Sequence, residues 1–299
     1  MAHLSASEPK TRKTVLADLG LVYASAIWGS TFILVKDSLA HIDALTMVAY
    51  RFLLAALLGG LLLLRQKKPL FRNMRQGLAL GVVLALLYIP QTIGLKFTSA
   101  SNSAFITGLF VAFVPVLSIL VMREPARPAQ WIAVVLSLAG LWLLTGGLAE
   151  INLGDLITIS AAFTYALHII LTDRFITAKF DLYRLVFQQF FSVGVFSLAA
   201  ALILGRSLTI GTPQTGWVVV FLALFPTFSA FLIQIKAQEF TSPVRVSLIF
   251  ATEPVFAGVF AWTLGGEQFI PLRGLGGLLI FLAIVVSTVQ PKKAENGTP

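Results

Sequence analysis

Residues 97–122 read FTSASNSAFITGLFVAFVPVLSILVM, and residues 240–264 read FTSPVRVSLIFATEPVFAGVFAWTL. Each opens on Phe-Thr-Ser and continues into an apolar run long enough to cross the hydrocarbon core of a bilayer, which takes about 20 residues. The two triads lie 143 positions apart. In the same gapless register Glu124 falls on Glu267 and Pro128 on Pro271. Five coincidences at equivalent places, the triads before the fourth run of each half and the Glu and Pro before the fifth, indicate a duplicated chain.

The composition sets the solvent. The 299 residues are 57% hydrophobic and 12% charged, with mean hydropathy +0.89. A soluble domain carries about a quarter charged residues, so lipid is the better surrounding for this chain. Ten apolar runs qualify as spans: 15–35, 43–64, 77–95, 103–122, 129–146, 153–171, 182–204, 216–235, 244–264 and 271–289. The expected fold is an all-α membrane protein of ten transmembrane helices. It divides into a first five-helix repeat (15–146) and a second (153–289), with short tails at 1–14 and 290–299. Five is odd, so the second repeat is expected to enter the membrane inverted.

Charge in the links gives orientation. The tails and even-numbered links hold seventeen Lys and Arg, and the odd links hold four: Lys36, Lys96, Arg206 and Arg273. By the positive-inside bias both termini are expected in the cytoplasm of a plasma (inner) membrane. The net charge of +9 therefore reads as topology, with anionic lipid headgroups as secondary contacts and no nucleic-acid partner. Cysteine is absent and the three His are scattered. No metal site, cofactor or phosphate-binding loop is expected, and energy must come from a gradient.

Inverted repeats are the architecture of secondary transporters, with substrate near the midplane between the halves. The polar residues inside the spans are the site candidates. Arg51 lies eight residues into its run, roughly 12 Å deep at about 1.5 Å per residue. Two readings stand: a cation for a substrate carboxylate, or a clamp on a neighbouring helix. The matching place in the second half holds Gln188-Gln189-Phe190, which favours the clamp. Glu253 precedes Pro254. It either answers backbone groups at a bend or titrates and couples transport to protons. Pro90, Pro115, Pro226 and Pro254 fall in the third, fourth, eighth and ninth spans. Each removes a helix hydrogen bond, and together they are the expected gates. Trp28, Tyr88, Gln91, Asn102, Phe163, Tyr165, His168 and Gln234 are the expected pocket, with Phe163 matching Trp28 across the repeat. Gly274, Gly276 and Gly277 permit close packing in the last span.

Ile27-Trp28-Gly29-Ser30-Thr31-Phe32, Tyr50-Arg51-Phe52-Leu53-Leu54-Ala55-Ala56, Thr252-Glu253-Pro254-Val255-Phe256-Ala257 and the Glu124 and Glu267 segments resemble the drug/metabolite transporter superfamily, in particular its EamA-type ten-helix exporters. The resemblance covers nearly the whole chain. It implies export of small amphipathic metabolites, amino acids including aromatic ones foremost, by alternating access and without catalysis. One departure is visible: the fourth-span proline is Pro115, one turn beyond Val111, the position matching Pro254. Two rivals remain. A nucleotide-sugar or phosphorylated-metabolite antiporter would need several buried cations. An intramembrane enzyme would need a nucleophile–base pair or a metal cluster. Oligomeric state is left open.

Overall fold

A computed structural model describes residues 12–145, 152–264, 268 and 270–288. Every element in them is helical. We number the helices α1 (Arg12–Ser38), α2 (Ala44–Arg65), α3 (Met74–Gly94), α4 (Ala100–Gly108, Phe110–Leu117 and a π turn Ser118–Met122), α5 (Pro128–Thr145) and α6 (Leu153–Thr177). They continue with α7 (Leu182–Ile203), α8 (Pro213–Leu222, a π turn Ala223–Ser229, then Ala230–Gln238), α9 (Pro243–Phe250, then Glu253–Thr263) and α10 (Pro271–Thr288). Eight are long and apolar enough to cross a membrane. In α5 and α10 the apolar stretch is shorter, Pro128–Leu143 and Gly274–Val286. Leu57, Leu61, Leu64, Leu86, Val135, Leu156 and Leu202 are exposed, as they would be facing acyl chains. Polar side chains such as Ser25, Thr46, Gln188 and Gln189 are turned inward. A bundle in lipid sorts its residues this way because lipid offers no hydrogen bonds.

The repeated Phe-Thr-Ser now has a local cause. Ser99 and Ser242 are the N-caps of α4 and α9. Each side chain accepts a hydrogen bond from the backbone N–H three residues on, Asn102 at 3.0 Å and Arg245 at 3.4 Å. A hydroxyl in this place answers one of the orphan donors of a helix start. Asp43 and Asp181 cap α2 and α7, accepting from the Leu45 and Arg184 N–H groups. Packing repeats as well. α2 lies on α7 and α5 on α10. α1 lies on α8 and α9, as α6 lies on α3 and α4. Where α5 meets α10, a Cβ on Gly140 would come within 2.6 Å of the Gly276 carbonyl, so the two backbones touch there.

The links gather into two groups. One end of the bundle joins links one, three, five and seven. The Lys36 ammonium donates to the Thr98 carbonyl, the Thr98 hydroxyl to Asp155, the Gly211 N–H to the His41 carbonyl, and Tyr50 Oη to the Leu208 carbonyl. The other end joins the start of α1 with links two, six and eight. Arg245 makes a two-pronged ion pair with Asp18 (2.9 and 2.6 Å), Lys68 pairs with Asp181 at 2.6 Å, and Arg184 donates to the Pro69 carbonyl.

The prolines differ in effect. Pro90 sits inside an unbroken α3. Pro115 precedes the π turn of α4 and Pro226 lies within that of α8. Pro254 stands in the first turn of the second segment of α9, after the chain pauses at Ala251 and Thr252. Glu253 thus begins a helix within a span, where a carboxylate complements the helix dipole.

Two outcomes test this packing. Gly140→Val forces backbone apart and is expected to destabilise the protein by about 1–3 kcal/mol, whereas Gly216→Val, which meets nothing within 4 Å, leaves the melting temperature in detergent nearly unchanged. At Asp181 burial opposes ionisation, but Lys68 and the Arg184 N–H outweigh it and hold the carboxyl below its ordinary value. The stabilisation is therefore present above the ordinary carboxylate range and lost as pH falls through the depressed value. Asp181→Asn should lower the melting temperature at neutral pH, with the difference from the parent closing in acid.

Candidate functional site

Asp43 and Asp181, 138 positions apart, set α2 against α7. The same spacing carries Arg51 onto Gln189 and Phe52 onto Phe190. Tyr88 and Phe231 are 143 apart, the spacing of the Ser caps. These six residues form the centre of the bundle. Phe52 meets Tyr88 at 4.9 Å between ring centroids, and Phe190 meets Phe231 at 5.6 Å. The matched pairs then meet each other, Phe52 with Phe190 at 5.7 Å and Tyr88 with Phe231 at 6.2 Å. Three of these contacts are edge-on and the Tyr88–Phe231 contact is tilted, arrangements that suit the quadrupoles of aromatic rings.

Trp28 of α1 closes one side. Its ring lies 4.9 Å from Phe250, 5.2 Å from Phe231 and 6.1 Å from Tyr165, which in turn meets Phe110 at 4.4 Å. The π turn of α8 provides its polar anchor. The Ala230 N–H bonds the Phe225 and Thr227 carbonyls, and the Pro226 carbonyl accepts from Trp28 Nε1 at 2.6 Å. A proline-induced irregularity is here made good by a side chain from another helix, as a dry interior requires.

Arg51 is buried, 4% exposed. Its Nε donates to the Thr227 hydroxyl, which itself donates to the Leu222 carbonyl. The guanidinium carbon lies 4.7 Å from the Tyr88 ring centroid and 5.5 Å from that of Phe52. The aromatic faces supply cation–π attraction, yet Nη2 has no hydrogen-bond partner. Glu253, 6% exposed, is close enough for its charge to act on Arg51, but the two make no ion pair. Its Oε2 is also without a partner. Leaving buried polar atoms unbonded is costly, so both side chains have hydrogen-bonding capacity to spare.

Of the other expected pocket residues, Tyr88, Tyr165 and His168 join the centre. His168 Nε2 lies 2.8 Å from Gln189 Oε1, and its ring is 5.8 Å from Phe231. Gln234 is buried nearby, donating to Gln238 Oε1 at 3.2 Å with its own Oε1 unpartnered. Gln91 ties α3 to α4 through the Thr107 hydroxyl. Asn102 sits at the capped start of α4, at the end of the bundle. Phe163 does not join them. It is 45% exposed and lies against Phe113 on the outer surface. The reason is register. Asp18 reaches the start of α9 as Asp155 reaches the start of α4, and this spacing of 137 puts Tyr165, not Phe163, opposite Trp28. Two residues along a helix turn a side chain by about 200°. Glu267 and both chain termini lie outside the described residues. Thr227, Phe231 and Phe250 were not singled out by the sequence, and Gln189 entered only as the counterpart of Arg51. The repeat spacings of 138 and 143 point to Gln189 and Phe231, whereas nothing in the sequence marks Thr227 or Phe250.

Comparison with known proteins agrees with this geometry. A profile of the EamA-like transporter family matches the chain twice, over residues 15–146 and 152–289. An uncharacterized transporter of Archaeoglobus fulgidus is 28% identical over 280 residues, covering 93% of this chain and 87% of its own length. The uncharacterized inner membrane transporter YedA of Escherichia coli K12 is 26% identical, with 87% of each chain covered. A solved crystal structure superposes with a TM-score of 0.76 at 18% identity, covering 91% of this chain and 96% of the other, which speaks to the fold. With the family profile spanning both halves and a bundle of ten helices around a polar, aromatic centre, the chain belongs to the EamA-like transporter family of the drug/metabolite transporter superfamily and is a multi-pass membrane transporter.

Proposed function

We propose that this transporter exports small amphipathic metabolites, amino acids including the aromatic ones foremost, across the plasma membrane by alternating access. Two inverted five-helix halves enclose the path, with both termini in the cytoplasm. The observation that carries the reading is the pair of unpartnered buried atoms, Arg51 Nη2 and Glu253 Oε2, inside an aromatic enclosure. A substrate carboxylate on Arg51 and an ammonium on Glu253 would complete both, while rings accommodate an apolar side chain. The clamp reading of Arg51 accounts for Nε, which holds Thr227, but leaves Nη2 idle.

Inversion is supported by the caps. Asp43 and Asp181 begin equivalent helices, yet one lies with the odd links and the other with the even links. The even links and tails also carry most of the Lys and Arg, which favours the cytoplasm on that side. For the path to open, contacts between halves at one end must part while those at the other hold. The irregular segments of α4, α8 and α9 supply the bends. A phosphate-carrying substrate is less suited, because Arg51 is the one buried Lys or Arg among the described residues.

Flux into and out of proteoliposomes tests this. Arg51→Gln retains a polar contact but loses the charge, and amino-acid flux should fall about tenfold or more, as expected for a charged hydrogen bond worth about 1.5–3 kcal/mol. Flux unchanged in this variant would return Arg51 to the role of a clamp. Glu253→Gln is expected to remove whatever dependence on a pH gradient the parent shows. If the gradient acts equally on both proteins, the carboxylate does not couple transport to protons.

A further inference from the structure

Gln189 stands where the repeat would place a second Arg51, and its surroundings differ in one respect: it faces no charge partner but a histidine. His168 Nε2 and Gln189 Oε1 are 2.8 Å apart and wholly buried. The pair bonds in one of two ways. If the imidazole N–H donates, His168 Nδ1 remains as an acceptor and the Gln189 amide as a donor. If the amide is flipped and donates, Nδ1–H remains as the donor and the Gln189 carbonyl oxygen as the acceptor. Either way one donor and one acceptor are left over, and both leftover atoms are without partners in the structure. Two more unpartnered polar atoms lie on α6 and α8. Thr172 Oγ1 lies one turn along α6 from His168. Gln234 Oε1 belongs to the Gln234–Gln238 pair, which is tied to α6 through the Ile169 carbonyl. An unsatisfied buried polar atom costs about 1–3 kcal/mol. Four such atoms on α6, α7 and α8 leave capacity for an occupant.

We propose that this cluster is a second subsite, which takes a neutral group able both to donate and to accept a hydrogen bond at the far end of the substrate. A phenol, an aliphatic hydroxyl or a carboxamide has that chemistry. The inference rests on the reading of Arg51 and Glu253 as the head-group site and extends it. Between the two polar ends stand the rings of Tyr88 and Phe231, which suit the apolar middle of a molecule such as tyrosine. The duplication has thus produced a site with unlike ends. One end, with Arg51 from the first half and Glu253 from the second, fixes a charged head. The other, from the second half, reads a neutral tail. A hydroxyl would give the leftover donor and acceptor the partners that phenylalanine cannot. Sites built to bond a hydroxyl discriminate strongly against analogues lacking it.

The test is paired flux of tyrosine and phenylalanine through proteoliposomes containing the full chain. The parent should favour tyrosine by about tenfold or more. Gln189→Leu should bring the tyrosine-to-phenylalanine ratio toward one, and Thr172→Val, a smaller change, should lower it in the same direction. A ratio is insensitive to the fraction of protein correctly folded, so a poorly expressing variant still reports. Arg51→Gln should reduce both substrates and leave the ratio in place. A parent indifferent to the hydroxyl, or a preference that persists in both Gln189→Leu and Thr172→Val, overturns the subsite and leaves the head-group reading intact. Absence of flux for both amino acids in the parent would instead remove the head-group reading and this one with it.

Discussion

A charge in the middle of a membrane bundle must be answered from within the protein, and the architecture described here is organised around one such charge. Arg51 is buried between the rings of Tyr88 and Phe52, and its Nε is held by the Thr227 hydroxyl. Thr227 can reach it because α8 takes a π turn around Pro226. The same turn leaves the Pro226 carbonyl to Trp28, which anchors the aromatic wall. Glu253 is brought near by the break in α9, which restarts the helix at that residue. The irregular stretches of backbone, the prolines and the aromatic centre are therefore linked through hydrogen bonds made at one place. Backbone departing from a regular helix at this depth is tolerated only where protein or a wet cavity receives it.

Duplication supplies the frame and divergence supplies the chemistry. Ser99 with Ser242, and Asp43 with Asp181, perform the same capping task in both halves. Phe52 with Phe190 and Tyr88 with Phe231 meet across the centre. Arg51 and Gln189 occupy equivalent places but are dressed differently, one by rings and a hydroxyl, the other by His168. At the two ends of the bundle the contacts between halves also differ. One end is closed by ion pairs, Asp18 with Arg245 and Lys68 with Asp181. The other is closed largely by neutral donors to carbonyls and by Thr98 on Asp155. Ion pairs weaken as salt rises, so the two ends need not part with equal ease.

Helix number and duplication were legible in the sequence because they rest on apolar run length and on the repeated Phe-Thr-Ser, Glu and Pro positions. The buried polar groups Arg51, Glu253 and His168 were legible too, since an ionisable residue in an apolar run has few places to go. What a single gapless register obscured was the face of each helix. The spacing between equivalent residues is 137 in α1 and α6, 138 in α2 and α7, and 143 in α4 and α9, because the links differ in length. Tyr165, not Phe163, is the counterpart of Trp28, and Phe163 points outward. The contribution of Thr227 was hidden for another reason. Its position depends on an i+5 backbone turn, and no residue type marks such a turn in sequence.

The central claim is that Arg51 and Glu253 are incompletely bonded because a zwitterion completes them. Equilibrium binding to the detergent-solubilised protein tests it most directly, comparing an aromatic amino acid with its carboxamide and with its N-acetyl derivative. Each derivative removes one charge and keeps the side chain. The account predicts that either change weakens binding about tenfold or more. Equal binding of the free amino acid and both capped forms would contradict it.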